Sequence, residues 1–307
     1  MKGQYHRARS TAESLAKSKE YFEQALAIDP NYASSYSGLA VYYYALAAIG
    51  GAPMGEVAPL AKSAAQKALV LDPAHCEAHS VLGVAAVMFD YDWKLAEAHF
   101  RKAMATAPVS PLVRYRYAQY YLGPLGRFAD AIEQMQLALE ADPVSVLLHQ
   151  GMAWSLYSAR RYREAMEFAR RGLEIDANFP YCWWQLGWAQ LHAGLALEAI
   201  ASLQRTVELT PWQGATSAWW LATAYHQAAD HAHSEELARK LAASYGQTYN
   251  AAIYYAATGA VDAMFDALEG AYQQRDRMLI ELKNERFFDP YRADPRFQAL
   301  LKKMNLS

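Results

Sequence analysis

Cysteine, clustered charge and long apolar runs are all scarce in this 307-residue sequence. Its two cysteines, Cys76 and Cys182, lie 106 residues apart, and we expect both to be free, buried thiols in a reducing compartment, the cytoplasm. Lysine and arginine number 29 against 31 acidic residues, and the basic residues are scattered along the chain. Binding to nucleic acid or to acidic lipid depends on a basic patch, so we expect neither partner for this segment.

One uncharged stretch, residues 31–55, has to be weighed as a membrane span. A bilayer needs about 20 consecutive, predominantly apolar residues. Here Ser34, Ser35 and Ser37 interrupt the stretch near its start, and glycines and a proline interrupt it again at residues 50–53. The sequence therefore predicts no membrane span.

The common catalytic motifs are also missing. The sequence contains no Gly-x-Gly-x-x-Gly, no phosphate loop, no Gly-x-Ser-x-Gly and no His-Glu-x-x-His. Two groups of histidines remain as candidates for metal binding: His75 with His79, and His226 with His231 and His233. A metal site needs three or four converging ligands, and a role in packing or at a turn is the alternative for both groups. We predict no metal, no cofactor and no enzymatic activity.

What the sequence does contain is a repeat. Prolines at positions 30, 73, 108, 143 and 211 are separated by 43, 35, 35 and 68 residues, and the last interval is two units of 34. Most of these prolines follow an apolar helical stretch. Because proline cannot continue a helix, each one marks the end of a unit.

Two helical patterns fill each unit. The first helix carries a leucine followed by a small residue, as in Leu186 and Gly187. The second carries a large residue between two small ones at helical spacing, as in Ala96, Phe100 and Ala103. A small residue lets the neighbouring helix approach closely, so this pattern indicates tightly packed antiparallel pairs.

The pattern resembles the tetratricopeptide repeat (TPR), whose 34-residue unit has Trp-Leu-Gly, Ala-Phe-Ala and Pro positions. The resemblance implies an all-α fold, an α-solenoid superhelix of antiparallel helix pairs. The first predicted unit is a starting helix pair that ends at Pro30. The following units span residues 31–73, 74–108, 109–143, 144–177, 178–211 and 212 to about 245, and a degenerate last unit spans about 249–274. The second unit is nine residues longer than 34, and we place the insertion in a loop at residues 50–55.

The C-terminus predicts a cap for the open end of the array. Pro295 is placed to begin a last helix with Asp294 as its N-cap, and Phe297, Leu300 and Leu301 share one apolar face. The predicted organisation is a repeat array over residues 1–283 and a capping segment over residues 284–307, folded back on the last unit.

Both ends of the chain carry a second resemblance. Residues 2–6, 21–26 and 29–33, together with residues 288–301, are similar to the repeat region found behind bacterial protein kinase, nucleotide cyclase or winged-helix domains. This resemblance implies a regulatory portion of a bacterial signalling or transcriptional protein.

In the TPR family the first helices of the units line a groove that holds a partner peptide or helix. The positions that the resemblance assigns to this groove include no Lys, Arg or Asn, so the family's clamp for a carboxylate is absent. From this side of the first helices we select eight candidate partner-binding residues, most of them aromatic, and call them the groove residues: Tyr115, Trp154, Tyr157, Tyr181, Trp184, Trp188, Trp219 and His226.

Large aromatic side chains supply much of the contact area in protein recognition, so we predict a protein or peptide partner that is apolar or rich in proline. Two alternatives stay open. The aromatic side chains can serve only to pack neighbouring first helices together, or the groove can bind a small apolar molecule and act as a sensor.

Overall fold

The computed structural model describes residues 12–48, 52–210, 214–245 and 248–306, and within these ranges it contains helices and no β-strand. The helices are α1 (Ala12–Ile28), α2 (Ala33–Ala48), α3 (Met54–Leu71), α4 (Cys76–Ala85), α5 (Trp93–Met104), α6 (Pro111–Tyr117), α7 (Phe128–Ala141), α8 (Val146–Ser158), α9 (Tyr162–Ile175), α10 (Pro180–His192), α11 (Ala196–Leu209), α12 (Gly214–Gln227), α13 (His231–Tyr245), α14 (Tyr249–Thr258), α15 (Val261–Gln273) and α16 (Pro295–Lys303). The predicted all-α fold is confirmed.

Consecutive helices pack as pairs, in the order expected of a helical repeat. The pairs are α2 with α3 and α4 with α5, and then α8 with α9, α10 with α11, α12 with α13 and α14 with α15. In each pair the even-numbered helix is the first and the odd-numbered helix is the second. Helices α3 and α7 end at Leu71 and Ala141, and Pro73 and Pro143 follow two residues later. The predicted helix ends are therefore confirmed at these prolines.

The small residues of the first helices make close packing possible. A Cβ atom on Gly83 of α4 would lie 2.8 Å from Cε2 of Phe100 in α5, and one on Gly187 of α10 would lie 2.6 Å from Cγ of Leu203 in α11. Both distances are too short for any side chain. Glycine is therefore required where the large residue of the second helix meets the first helix.

The long second unit differs from its prediction. Helices α2 and α3 have 16 and 18 residues, whereas α7, α9 and α11 have 14 each. Met54 and Gly55, which we placed in an inserted loop, belong to the first turn of α3. Much of the extra length therefore extends the helices. Gly50 and Gly51 lie outside the described residues, as does the predicted helix before α1.

The chain divides into two compact units, residues 1–121 and residues 122–307. In unit 1 a core of alanines and larger apolar residues joins α2, α3 and α4, with Ala40, Ala65 and Ala78 fully buried. In unit 2 the helix pairs continue to α15. A segment with two short 3₁₀ helices, Arg277–Glu281 and Arg286–Tyr291, then leads to α16.

Helix α16 has the predicted features of a cap. It begins at Pro295 after Asp294, whose carboxylate accepts a hydrogen bond from the backbone N–H of Arg296. Phe297, Leu300 and Leu301 are buried. The helix packs on α15, and the boundary between array and cap at residue 283 stays a prediction.

Two further expectations concern the whole chain. Cys76 and Cys182 are free thiols, as predicted, although only Cys182 is fully buried. Burial raises the pKa of the Cys182 thiol to about 12. In the described ranges, no helix has both the length and the apolar character that crossing a bilayer requires.

Candidate functional site

The first helices of unit 2 present a face on which a segment of the same chain lies. This segment, which we call the C-terminal strap, comprises residues 276–292. Its start lies near α10, where the guanidinium of Arg277 is 5.8 Å from the ring centroid of Trp184. Near its end, the hydroxyl of Tyr291 donates a hydrogen bond to the carbonyl of Ala256 in α14 at 3.1 Å. The strap therefore spans several helix pairs.

Glu285 is the centre of a buried polar cluster between the strap and the face. The hydroxyl of Tyr157 in α8 donates to Oε2 of Glu285 at 2.8 Å. Nε2 of His192 in α10 lies 3.1 Å from Oε1, which also accepts the backbone N–H of Phe287. The side chains of His192 and Glu285 are each 3% exposed. A glutamate side chain is thus buried with a hydrogen-bond partner for each oxygen.

The cluster shifts the pKa values of its members in opposite directions. Burial would raise the pKa of Glu285, but His192 and the hydrogen bonds from Phe287 and Tyr157 outweigh it and lower that pKa. Burial and the nearby carboxylate of Glu285 raise the pKa of Tyr157 well above its usual value. Tyr157 therefore keeps its proton and acts as the donor.

Glu281, one turn before Glu285, is the second buried carboxyl of the strap. Burial and the charge of Glu285 raise its pKa from 4.5 to about 8. Trp154 and Ser158 of α8 form hydrogen bonds with it. At neutral pH Glu281 is mainly protonated, because burial and the negative charge of Glu285 both disfavour its ionised form.

Further polar contacts fasten the strap along its length. The amide of Asn284 donates to the carbonyls of Gly123 and Pro124 at 2.9 and 3.1 Å. Asp289 forms an ion pair with Arg160, with an Nη2–Oδ1 distance of 2.8 Å. These contacts involve residues from the beginning of unit 2 as well as from its middle.

Aromatic side chains cover the rest of the contact. Phe287 packs with its ring centroid 4.6 Å from that of His192 and 6.0 Å from that of Trp220. Phe288 is fully buried, 5.8 Å from the ring of Tyr249 in α14. The contact between strap and face is therefore apolar around a polar centre.

Four of the groove residues come together under the strap. The rings of Trp184 and Trp188 lie 4.3 Å apart, and Trp188 lies 5.4 Å from Tyr157. Trp154 belongs to the same face through its bond to Glu281. All four side chains are buried.

The other groove residues lie elsewhere. Trp219 is fully buried against Tyr254 and Tyr255 of α14, at ring distances of 5.6 and 5.9 Å. Tyr181 is half-buried beside Trp184. His226 lies 5.1 Å from the ring of His231, and its pKa is lowered by burial and by that histidine.

Tyr115, the eighth groove residue, belongs to unit 1 and is half-buried there. Its ring lies 6.4 Å from that of Tyr120.

Sequence reasoning missed three parts of this face. Trp220, next to Trp219, is a residue of α12 that contacts the strap, and its ring also packs at a tilt on that of Trp188, with the centroids 4.5 Å apart. No groove position fell on His192, and no sequence pattern selected Glu281 or Glu285. The neighbouring pair Phe287 and Phe288 is the sequence signal of a buried segment there.

The histidine groups make protein contacts. His75 caps α4 by accepting the N–H of Ala78, and Nε2 of His79 lies 3.0 Å from the carbonyl oxygen of Pro73. Nδ1 of His233 lies 2.7 Å from Oδ2 of Asp230. In the part of the chain that the structure describes, no three potential metal ligands converge.

Comparison with known proteins gives the same architecture. The tetratricopeptide repeat family model matches residues 3–32. PilW, a widely conserved type IV pilus biogenesis factor, is 18% identical, with 71% of this chain and 96% of PilW covered and a TM-score of 0.57. Human IFIT1, solved as a dimer with m7Gppp-AAAA, is 18% identical over 87% of this chain and 69% of IFIT1, with a TM-score of 0.60. No curated protein sequence matches the chain.

A third structure, the Cut9–Hcn1 hetero-tetramer of the APC/C, is 16% identical over 83% of this chain and 48% of its own, with a TM-score of 0.60. At these identities the structures show a common fold and not a common partner. The family match, the phased prolines and the glycine contacts at Gly83 and Gly187 agree. The chain therefore has an all-α helical-repeat fold, with a tetratricopeptide repeat matched at residues 3–32.

Proposed function

We propose that the protein is an interaction scaffold, and that the first-helix face of unit 2 binds a segment of a partner protein in the position that the strap occupies. The observation that carries this proposal is that the face already holds a segment of two short 3₁₀ helices and turns by contacts with its side chains. A partner segment competes with a tethered one, so binding requires displacement of the strap.

The chemistry of the face indicates what a competing segment must offer. Tyr157 needs an acceptor at the position of the Glu285 carboxylate, because its hydroxyl donates there and a buried donor without a partner costs stability. Nε2 of His192 lies 3.1 Å from the same carboxylate and 2.9 Å from the Tyr157 hydroxyl. His192 and Trp220 form a site for an aromatic ring. The partner segment is therefore one with an acidic residue followed two positions later by an aromatic residue, which narrows the apolar or proline-rich partner expected from the sequence.

The tryptophans of the face support a recognition role over simple packing. The buried indole N–H groups of Trp184 and Trp188 have no hydrogen-bond partner among the described residues. Such a buried donor costs about 1–3 kcal/mol, which phenylalanine in the same place would avoid. Backbone carbonyls of a partner segment are acceptors that these indoles lack in the strap-bound state.

A peptide of residues 276–292 with a fluorescent label tests the proposal by anisotropy. The full chain is compared with a strap-weakened variant, Glu285→Ala with Phe287→Ala, whose fold is checked by circular dichroism. We expect the peptide to bind the variant at least about tenfold more tightly than the wild type, because the tethered strap competes at millimolar effective concentration.

Two controls accompany this experiment. A peptide carrying the same two alanines should not bind, and Tyr157→Phe in the strap-weakened chain should lower the affinity, since it removes the donor to Glu285. If a folded strap-weakened chain fails to bind the peptide, the face is not a recognition site and its aromatic side chains serve packing.

Several finer expectations remain part of the proposal. We retain a non-enzymatic role, a cytoplasmic location and the absence of a nucleic-acid partner, the last because the formal net charge is −2 without a basic cluster. IFIT1 was solved with a capped oligonucleotide, so an electrophoretic shift with single-stranded RNA is the measurement that checks this exclusion. A role as the regulatory portion of a bacterial signalling protein fits the resemblance of both chain ends.

A further inference from the structure

Unit 1 contains a cleft of its own, which is lined by residues between Lys62 and His99. It has a volume of about 480 Å³ and lies between α3, the C-terminal end of α4 with the short π-helix Ala86–Asp90 that follows, and α5. Its lining is mostly apolar: Leu69 and Val70 from α3, Leu82 and Ala86 from the α4 region, and Leu95 from α5. This volume lies in the range of small-molecule sites.

The charged groups of the cleft neutralise each other. Nζ of Lys62 lies 2.8 and 2.6 Å from the two carboxylate oxygens of Asp90 and 4.8 Å from the ring centroid of Phe89. The pair is partly shielded from water, with side-chain exposures of 26% and 35%. A ligand in this cleft therefore meets apolar walls and no free charge.

His99, which also lines the cleft, stands at the end of a hydrogen-bonded chain that fixes its tautomer. Nε2 of His79 lies 3.0 Å from the carbonyl oxygen of Pro73, and a carbonyl only accepts, so Nε2 carries the hydrogen. Nδ1 of His79 is then an acceptor, and Nδ1 of His99, 3.0 Å away, is the donor. Nε2 of His99 is left with a lone pair.

Both histidines stay neutral at physiological pH, and the hydrogen bonds from Pro73 through His79 to His99 require this state. Burial lowers the pKa of His79. Burial, together with His79 and Lys102, lowers the pKa of His99 to about 4. His99 thus offers an uncharged hydrogen-bond acceptor at the wall of an apolar cleft.

The equivalent helix pair in unit 2 shows that packing does not require this histidine. There Nε2 of His149 lies 3.0 Å from the carbonyl oxygen of Pro143, as Nε2 of His79 does from Pro73. Phe168 takes the place of His99, with its ring 6.1 Å from that of His149. Nδ1 of His149 has no hydrogen-bond partner among the described residues. A phenylalanine therefore fills the same place in the same chain.

From these observations we infer that the cleft of unit 1 binds a small, uncharged, largely apolar molecule that carries one hydrogen-bond donor, and that His99 Nε2 accepts that hydrogen bond. The apolar body of the ligand packs on Leu82, Ala86 and the exposed side chains of Val70 and Leu95. The inference does not depend on the proposed function of the strap-bound face, which belongs to the other unit.

The test uses 4-ethylphenol as the probe and its methyl ether, 4-ethylanisole, as the matched compound that lacks the donor. Amide chemical shifts of the full chain are followed by NMR during titration with each compound. We expect 4-ethylphenol to shift amides of α3, α4 and α5 with a Kd of about 1 mM, typical of a fragment of this size. The ether should bind about fivefold more weakly, because it cannot donate to His99.

Two variants at one position separate recognition from structure. His99→Phe copies the arrangement at Phe168 and should abolish the preference for the phenol, whereas His99→Gln keeps an acceptor and should retain it. Unchanged thermal unfolding of both variants shows that the fold is intact. The inference is overturned if the two compounds bind equally to the wild type, if the preference survives in His99→Phe, or if no amide of the cleft shifts at 10 times the expected Kd of about 1 mM.

Discussion

The strap and the capping helix are neighbours in the sequence, yet only the strap is held by a buried polar cluster in addition to apolar contacts. Helix α16 buries Phe297, Leu300 and Leu301 and places its charged side chains at the surface, where Lys303 pairs with Glu269. The strap also buries apolar side chains, such as Leu279 and Phe288, but in addition it buries the carboxyl groups of Glu281 and Glu285. Apolar burial depends little on pH or on competitors, whereas a buried polar cluster depends on both. The comparison indicates a permanent cap beside a displaceable strap.

The largest expected effect is a loss of stability when the capping helix is altered. Phe297→Ala removes a fully buried ring and should lower the free energy of unfolding of unit 2 by about 3–5 kcal/mol. Urea unfolding followed by tryptophan fluorescence is the measurement, since all tryptophans except Trp93 lie beyond residue 121. Leu197→Ala, at a side chain that is 74% exposed, is the control and should change little. Equal effects of the two changes would contradict the assignment of α16 as a permanent cap.

A second, intermediate effect should appear in the pH dependence of the strap. Glu281 binds a proton in the docked state up to a pKa of about 8 and loses it near 4.5 when released, so docking weakens as pH rises between these values. The opening equilibrium should shift towards the released state by up to about tenfold per pH unit. Glu285, whose pKa is lowered, has the opposite sign and weakens docking only on acidification.

Hydrogen exchange of the amides of Met278, Leu279 and Ile280, measured at pH 6 and pH 8 and corrected for intrinsic rates, checks this effect. Glu281→Gln is the matched control, because it keeps the shape and cannot ionise. We expect protection to fall with pH in the wild type and to stay constant in the variant. Parallel profiles would show that Glu281 does not control the strap.

The smallest effect is expected at the surface of the cap. Lys303→Gln breaks the ion pair with Glu269, in which both side chains are 45% exposed. Exposed pairs contribute about 0.2–1 kcal/mol, so the urea midpoint should move slightly and strap exchange should not change. A change in strap exchange as large as that in the pH experiment would remove the distinction between cap and strap.

Much of the fold was predictable because it repeats. Proline spacing marks where helices end, and small residues such as Gly83 and Gly187 mark where pairs meet, since both effects are local and recur in each unit. The start of the capping helix was predictable from Asp294 and Pro295, because the preferences for these residues at a helix N-terminus are also local.

The site was less predictable, because its contacts join residues that are far apart in the chain. Tyr157 and Glu285 are 128 residues apart, and no local pattern links them. Whether Trp219 or Trp220 contacts the strap depends on the rotation of α12 about its axis. Sequence spacing does not determine that rotation to within one residue. The tautomer of His99 is set by a carbonyl at Pro73, two hydrogen bonds away.

The hydrogen bonds from Asn284 to the carbonyls of Gly123 and Pro124 have a consequence for how unit 2 unfolds. In an open array each helix pair touches only its neighbours, so terminal pairs can fray one after another. Here Asn284 is bonded to two residues that precede it by 161 and 160 positions. The first turn of unit 2 is thus joined to the strap near its C-terminal end. With the strap in place, unit 2 should melt as one cooperative body, and during synthesis it reaches that state only once residue 284 has left the ribosome.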